Sequence, residues 1–304
     1  MMHAQAATSP SGTARPTSAG FGVTMEGLPS ALNGLQNLSS TLGVTPGVAM
    51  WYEQWSSAAP FPAAEASALT SLGITPEITW EPWSPTGGLH QPGYSLASIA
   101  SGRHDAYLLS WADEIKAWGG VLKLRFAHEM NGNWYPWDQG VNGNGPGSYV
   151  AAWRHIHDLF KKAGATKVIW VWSPNVEYRG STAFSALWPG SSYVNEVALD
   201  GYNWGAVHPE TGWQSLSEIF LPSIRAITSL TDLPLYLGEV SSTETGGNKA
   251  RWISDMFATL AHWPEIKGFT WFDWDKETNW PIASSAQSLD AFRDGIQQYH
   301  TASP

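Results

Sequence analysis

Short apolar runs rich in β-forming residues alternate along this chain with stretches whose apolar positions recur at helical spacing. The runs are FGVTMEG from 21, PGVAMWYEQW from 46, ITPEITWEPW from 74 and VLKLRFAHEMNG from 121, then KVIWVWSPN from 167, EVALDGYNWG from 196, LPLYLGEVSS from 233 and IKGFTWFDWD from 266. The clearest helix is SYVAAWRHIHDLFKKAGA from 148, where Val150, Trp153, Ile156, Leu159 and Phe160 fall on one stripe. Lys161 and Lys162 sit near its end and Gly164 supplies a stop. NKARWISDMFATLAHWP from 248 reads as another, ended by Pro264, and a last helix from Ser288 to about Tyr299 completes the series.

Eight strand–helix alternations in under 300 residues predict an α/β fold, a single (β/α)8 TIM barrel. A doubly wound open sheet is the competitor. It would bring a glycine-rich phosphate loop, and neither GxGxxG nor GxxxxGK[ST] occurs where a strand meets a helix. The barrel is expected over residues 20–304. Residues 1–19 lack an apolar signal-peptide core and are rich in Ala, Ser, Thr and Pro, which reads as a tail or linker remnant.

Polar residues crowd the C-terminal end of each run: Glu81, His128 and Glu129, Asn175, Asn203, Glu239, Asp273. In a (β/α)8 barrel that end is the catalytic face. The glycine-rich stretch QGVNGNGPGS from 139 reads as a loop at the cleft rim.

Composition narrows the chemistry. The net charge is −10 without basic clusters, so a nucleic-acid partner is not expected. There are no cysteines, which removes disulfides, thiolate nucleophiles and thiolate metal sites. No apolar run approaches the ~20 residues of a membrane span. Nineteen tryptophans exceed what packing alone asks for, because each buried indole N–H needs a partner, whereas flat aromatic faces stack well on sugar rings.

Hydrolysis of a glycosidic bond needs a proton for the leaving oxygen and a nucleophile for the anomeric carbon. Two carboxyl groups supply both if their pKa values are pushed apart. Glu129 and Glu239 each follow a strand, the fourth and the seventh. Glu129 is crowded by Trp134, Tyr135 and Trp137, a setting that raises a carboxyl pKa and suits a general acid. Glu239 lies between LYLG and Val240-Ser241-Ser242, where hydroxyl and backbone donors keep a carboxylate ionised. The plainer alternative, two ordinary ion-pair partners, does not explain both standing at strand ends in aromatic surroundings.

The segments LRFAHEMNGNWYPW, LDGYNWG and LGEVSS resemble glycoside hydrolase family 26 of clan GH-A, which includes β-mannanases, mixed-linkage β-glucanases and β-1,3-xylanases. The resemblance runs from WYEQW to WFDWD. It implies Glu129 as acid/base, Glu239 as nucleophile and retention of anomeric configuration, with carboxyl groups about 5–5.5 Å apart. It also implies that Tyr202 orients the nucleophile and that Trp271 forms the platform beneath the sugar at the cleavage point. His128 and Asn131 flank the acid/base, where they bind sugar hydroxyls or fix its rotamer. Arg125 holds a carboxylate or joins a barrel-core ion pair. Trp80, Trp134 and Trp172 are expected stacking surfaces, and Asn175 a further sugar contact. After HEMNG the family's mannanases usually carry a WFWWG-type run, whereas WYPW here looks more like the glucanase side. Family prevalence therefore points to β-1,4-mannan or glucomannan, and WYPW to mixed-linkage β-1,3-1,4-glucan.

Other chemistries fit less well. Metal-dependent hydrolysis would want His-x-His on the first strand, which ends in Met25-Glu26, and His155 and His157 point to different helix faces. An inverting hydrolase would need wider carboxyl spacing, and a carbohydrate-binding barrel without activity would not need both glutamates. An esterase would want a GxSxG elbow, which is absent. The expectation is an internally cutting, retaining glycanase for a neutral β-linked polysaccharide or oligosaccharide. It needs no cofactor or metal and acts as a monomer. Secretion follows from the size of the substrate.

Overall fold

In a computed structural model that describes residues 17–302, eight parallel strands pair in sequence order and close into a barrel. The strands are β1 (Thr17–Met25), β2 (Thr45–Gln54), β3 (Thr75–Glu81), β4 (Leu122–Phe126), β5 (Val168–Trp172), β6 (Glu196–Asn203), β7 (Leu235–Ser242) and β8 (Ile266–Asp273). The helices are α1 (Leu32–Leu42), α2 (Ala63–Ser71), α3 (Leu96–Ala100), α4 (Asp105–Trp118), α5 (Ser148–Ala163), α6 (Phe184–Leu187), α7 (Leu216–Leu230), α8 (Lys249–Leu260) and α9 (Ala286–Ala302). Pairing of Phe21–Met25 with Phe269–Asp273 shuts the ring. The predicted (β/α)8 architecture is therefore present. β1 opens at Thr17, so residues 17–19 belong to a strand rather than to the expected tail. The rest of that tail, 1–16, lies outside the described residues. No described helix is long and apolar enough to cross a membrane.

The helical stripes bury as their spacing dictates. On α5, Tyr149, Ala152, Trp153, Ile156 and Phe160 face the barrel, and Gly164 ends the helix in the left-handed conformation (φ 89°). α7 opens on a reciprocal capping box between Ser215 and Glu218.

Side chains along a strand alternate between the barrel interior and the helix layer, and this parity decides what each strand offers the site. On β3 the even set Ile78 and Trp80 packs outward, while Glu77, Thr79 and Glu81 point inward. On β4, Leu122, Leu124 and Phe126 pack outward, leaving Lys123 and Arg125 inside. The interior is accordingly polar for most of its length. Toward the strand N-termini, Lys123 pairs with Glu196 at 2.6 Å and lies over the ring of Tyr236 at 4.3 Å. One layer higher, Arg125 meets Thr79, Ser173, Asp200 and Glu239. The catalytic-face loops stand above that layer. The glycine-rich loop after β4 is tied to the β3–α4 connection, because Asn142 exchanges two bonds with the backbone of Gln91 and Asn144 accepts from the Leu96 amide.

Candidate active site

Glu239 owes its direction to an irregularity in β7. Tyr236 and Gly238 face the barrel interior, so strict alternation would turn the next residue outward. The register with β6 shifts at this point, with Leu199 opposite Leu237 but Asp200 opposite Glu239. Gly238 is the extra residue, and the bulge re-aims Glu239 into the barrel. Only glycine fits: a Cβ at 238 would lie 2.5 Å from Asp200 Oδ1 and 2.8 Å from Ala198 Cβ. The short LGE motif thus has a steric reason for its glycine.

Three side chains donate to Glu239. Arg125 Nη1 reaches Oε1 at 3.0 Å and Tyr52 Oη reaches the same oxygen at 2.9 Å. Tyr202 Oη donates to Oε2. Burial, reinforced by the charge of Glu239, pushes both phenols well above their ordinary range, so they stay protonated and able to donate. Arg125 is fully buried, and its Nη2 also reaches Asp200 at 2.5 Å and Ser173 at 2.8 Å. It faces Glu239 and Asp200 rather than the cleft, so the sequence expectation resolves to the buried ion pair and not to a substrate contact. Burial raises Asp200 and the guanidinium opposes that rise.

Glu129 stands in the turn that follows β4. Ala127 and Glu129 both adopt the left-handed region, with φ of 49° and 53°. Such backbone is costly for residues with a side chain and persists where neighbours over-determine it. Here the Ala127 amide donates to Trp80 O on β3 at 3.0 Å, and the Glu129 amide donates to Ser173 O just past β5 at 2.6 Å. The turn is pinned from both sides. Trp134 Nε1 donates to Glu129 Oε2 at 2.8 Å. Burial raises the Glu129 carboxyl to about 8, the charge of Glu239 adds to the rise, and the Trp134 bond and Arg125 oppose it. At neutral pH Glu129 therefore holds a proton.

Above these groups opens a cleft of about 420 Å³, lined by Glu129, Trp134, Tyr135, Asn175, Tyr202, Trp204, Phe272 and Trp280 among others. Trp134 and Asn175 thus line the cleft. His128 is buried against Tyr135 (centroids 4.8 Å) and Tyr52 (5.9 Å), and burial holds it well below its ordinary pKa, in the neutral form. Its Nδ1 has no hydrogen-bond partner among the described residues. Asn131 is fully buried and bonds the backbone of Asn175 at both ends, Oδ1 accepting and Nδ2 donating. It staples the loops after β4 and β5 instead of meeting a sugar.

Three expected stacking surfaces are corrected. Trp80 is fully buried, stacked on Trp111 of α4 at 4.6 Å. Trp172 is fully buried against Phe184 and Trp188, and Trp271 against Phe292 and Trp252. Parity explains all three, since each follows an inward residue and so turns to the helix layer. Trp204, partly exposed, and Trp280, itself fully buried, border the cleft from the connections after β6 and β8 and pack on each other at 4.8 Å. Trp280 also packs on Tyr202 at 5.0 Å, which sets its ring beside the tyrosine that holds Glu239. Tyr52, Asp200, Trp204 and Trp280 escaped the sequence reading. Parity with Met50 and Gln54 on β2 would have found Tyr52.

Fold and site together define a two-carboxylate centre at the C-terminal end of a (β/α)8 barrel. Residues 108–244 match the family model described as Glycosyl hydrolase family 26. Endoglucanase H of Acetivibrio thermocellus is 36% identical over 273 residues, covering 88% of this chain and 29% of that protein. Mannan endo-1,4-beta-mannosidase A and B of Caldalkalibacillus mannanilyticus is 29% identical over 188 residues, covering 60% of this chain and 33% of that protein. The chain thus spans about a third or less of the length of these relatives. The catalytic domain of an endo-beta-1,4-mannanase from Bacillus sp. JAMB-750 shares the fold with a TM-score of 0.68 at 18% identity, over 92% of this chain and 86% of that one. Residues 108–244 thus match glycosyl hydrolase family 26, as the motifs around Glu129 and Glu239 led one to expect.

Proposed function

We propose that this domain is a retaining endo-β-glycanase in which Glu239 attacks the anomeric carbon while Glu129 protonates the departing oxygen. The observation that carries the reading is the asymmetry of the pair. Glu239 accepts from Arg125, Tyr52 and Tyr202, whereas Glu129 has a single indole donor and is raised to about 8. Three donors orient one carboxylate for attack, and burial keeps the other carboxyl protonated for delivery. After the glycosyl–enzyme ester forms, Glu129 has lost its proton and takes one from the water that opens the ester, which regenerates both groups. Asn175 is suited to sugar hydroxyls, and Trp134 and Trp204 offer aromatic faces along the cleft.

The substrate is a neutral β-linked polysaccharide, and mixed-linkage β-glucan is the first reading. The similarity to an endoglucanase extends over most of this chain, and WYPW stands beside the acid/base. β-1,4-Mannan or glucomannan is the second, favoured by the mannanase relatives at lower identity. Secretion is the expectation attached to either substrate, because neither polymer enters a cell intact. Product analysis on both polymers tests the reading: short oligosaccharides from either support a glycanase and identify its substrate, and no release of reducing ends from either contradicts it.

A further inference from the structure

Lys249, the first residue of α8, is fully buried and has no anionic partner within salt-bridge distance among the described residues. Its Nζ donates to Asn279 O at 2.8 Å, Trp280 O at 3.0 Å, Pro281 O at 2.8 Å and Ser284 Oγ at 2.9 Å. Two forces oppose a charge there. Burial draws the ammonium down to about 8, and the N-terminus of a helix repels a cation. The carboxylates of Glu244, after β7, and of Asp273 and Asp275, at the end of β8 and just beyond, act in its favour from a distance. The acceptors suit only the charged form. An ammonium offers three N–H groups, while a neutral amine would turn a lone pair toward one of four oxygens.

All four acceptors lie on one loop, the connection between β8 and α9, and that loop seats the buried Trp280 against Tyr202 and Trp204 at the border of the cleft. Trp280 O also accepts from Ser241 Oγ at 2.9 Å and Trp271 Nε1 at 3.1 Å, so three donors converge on this one carbonyl. The loop is further held where the Ile282 amide meets Asp273 Oδ1 at 2.6 Å and where Ser284 Oγ meets Glu244 at 2.7 Å.

We infer that Lys249 is a positioning residue for Trp280: its ammonium gathers the backbone of 279–281 into one conformation and thereby sets the height of the indole beside Tyr202 and Glu239. The inference rests on the glycanase reading for its kinetic consequence, not for its structural one. Lys249 touches neither the acid/base nor the nucleophile and acts through a carbonyl of the residue it positions.

The test combines hydrogen exchange with a double-mutant cycle. In Lys249→Met, amides of 276–284 exchange at least tenfold faster than in the parent while β4 and β7 keep their protection. On whichever of mixed-linkage β-glucan and β-mannan the parent hydrolyses, kcat/KM falls at least tenfold. Combined with Trp280→Ala, Lys249→Met adds less than a threefold further loss, because the two changes damage one element. Unchanged exchange in 276–284, or losses that multiply in the double variant, overturns the assignment. A merely structural lysine would instead raise exchange throughout the barrel and leave kcat/KM per folded molecule intact. Should Lys249→Met fail to fold, Ser284→Ala removes one acceptor of the cage. Faster exchange confined to 276–284 then supports the clamp, and unchanged exchange overturns it. A parent inactive on both polymers defeats the glycanase reading, and the exchange data still decide the clamp.

Discussion

The indole of Trp134 donates to Oε2 of Glu129 at 2.8 Å, five residues along the same loop. This bond favours the ionised carboxylate and so opposes the burial that raises Glu129 to about 8. In the proposed mechanism glycosylation uses the protonated form, so kcat/KM on polysaccharide is expected to fall as pH rises through an alkaline limb near 8. Trp134→Phe removes the donor and keeps an aromatic face. Its alkaline limb moves upward, and a pH profile of kcat/KM in which that limb moves down or stays fixed contradicts the role given to the bond.

Glu129 binds its proton more tightly in the folded chain than in the unfolded one. Stability is therefore lost as pH rises from the ordinary carboxylate range through about 8, and Glu81 and Asp138, each raised to about 7 by burial, act in the same direction. Glu129→Gln abolishes the charge. At pH 8 it melts about 2–4 °C above the parent, a shift of the size expected from roughly 1 kcal/mol in a domain of this order. At pH 5 the two melt together. Calorimetry at the two pH values checks this, and a variant no more stable at pH 8 would contradict it.

The two carboxyl roles separate by leaving group. Glu129→Ala lowers kcat/KM on polysaccharide about 10²–10⁴-fold but spares aryl glycosides with good leaving groups. Glu239→Ala loses on the order of 10⁴-fold on both. Equal losses from Glu129→Ala on the two substrate types would remove its acid role.

Among the described residues, Arg125 is the one cation paired with two buried carboxylates, Asp200 at 2.5 Å and Glu239 at 3.0 Å. Arg125→Met leaves both unpaired, at an expected cost of about 3–5 kcal/mol in urea unfolding, together with loss of activity. A variant as stable as the parent would show that the pair does not hold the barrel interior.

The aromatic corrections make a paired prediction. Trp280→Ala lowers kcat/KM per folded molecule by about 10–100-fold, the scale of a lost positioning contact, and, because its indole is fully buried, also costs about 3–5 kcal/mol of stability. Trp80→Ala opens a cavity against Trp111 and costs about 3–5 kcal/mol of stability, with activity per folded molecule retained. Steady-state kinetics per folded molecule distinguish them, and the reverse pattern would restore Trp80 as a sugar platform.

Most of the barrel was legible because β-rich runs and helical stripes differ in period, and each run kept its polar residue at the C-terminal end. Glu129 and Glu239 were legible as carboxylates at strand ends. The tryptophans were misread where position along the strand was considered without parity: Trp80, Trp172 and Trp271 sit near strand ends but on the outward face. Glu239 shows why parity alone also fails, since the Gly238 bulge reverses its direction and a bulge leaves no mark in a hydrophobic pattern. Trp204 and the buried Trp280 come to the border of the cleft on long connections, and loop closure depends on contacts such as those of Lys249 that lie some thirty residues away in the chain. β1 began earlier than expected because Thr17 and Ser18 pair with Thr45 and Pro46 despite their polarity.

The central claim is double displacement by Glu239 with Glu129 as acid/base. The most direct measurement is the anomeric configuration of the first products, followed by proton NMR during hydrolysis of mixed-linkage β-glucan, or of β-mannan if that is the polymer cleaved. The account predicts that the β-anomer accumulates first and then mutarotates toward equilibrium. Initial appearance of the α-anomer would mean a single displacement by water and would contradict it.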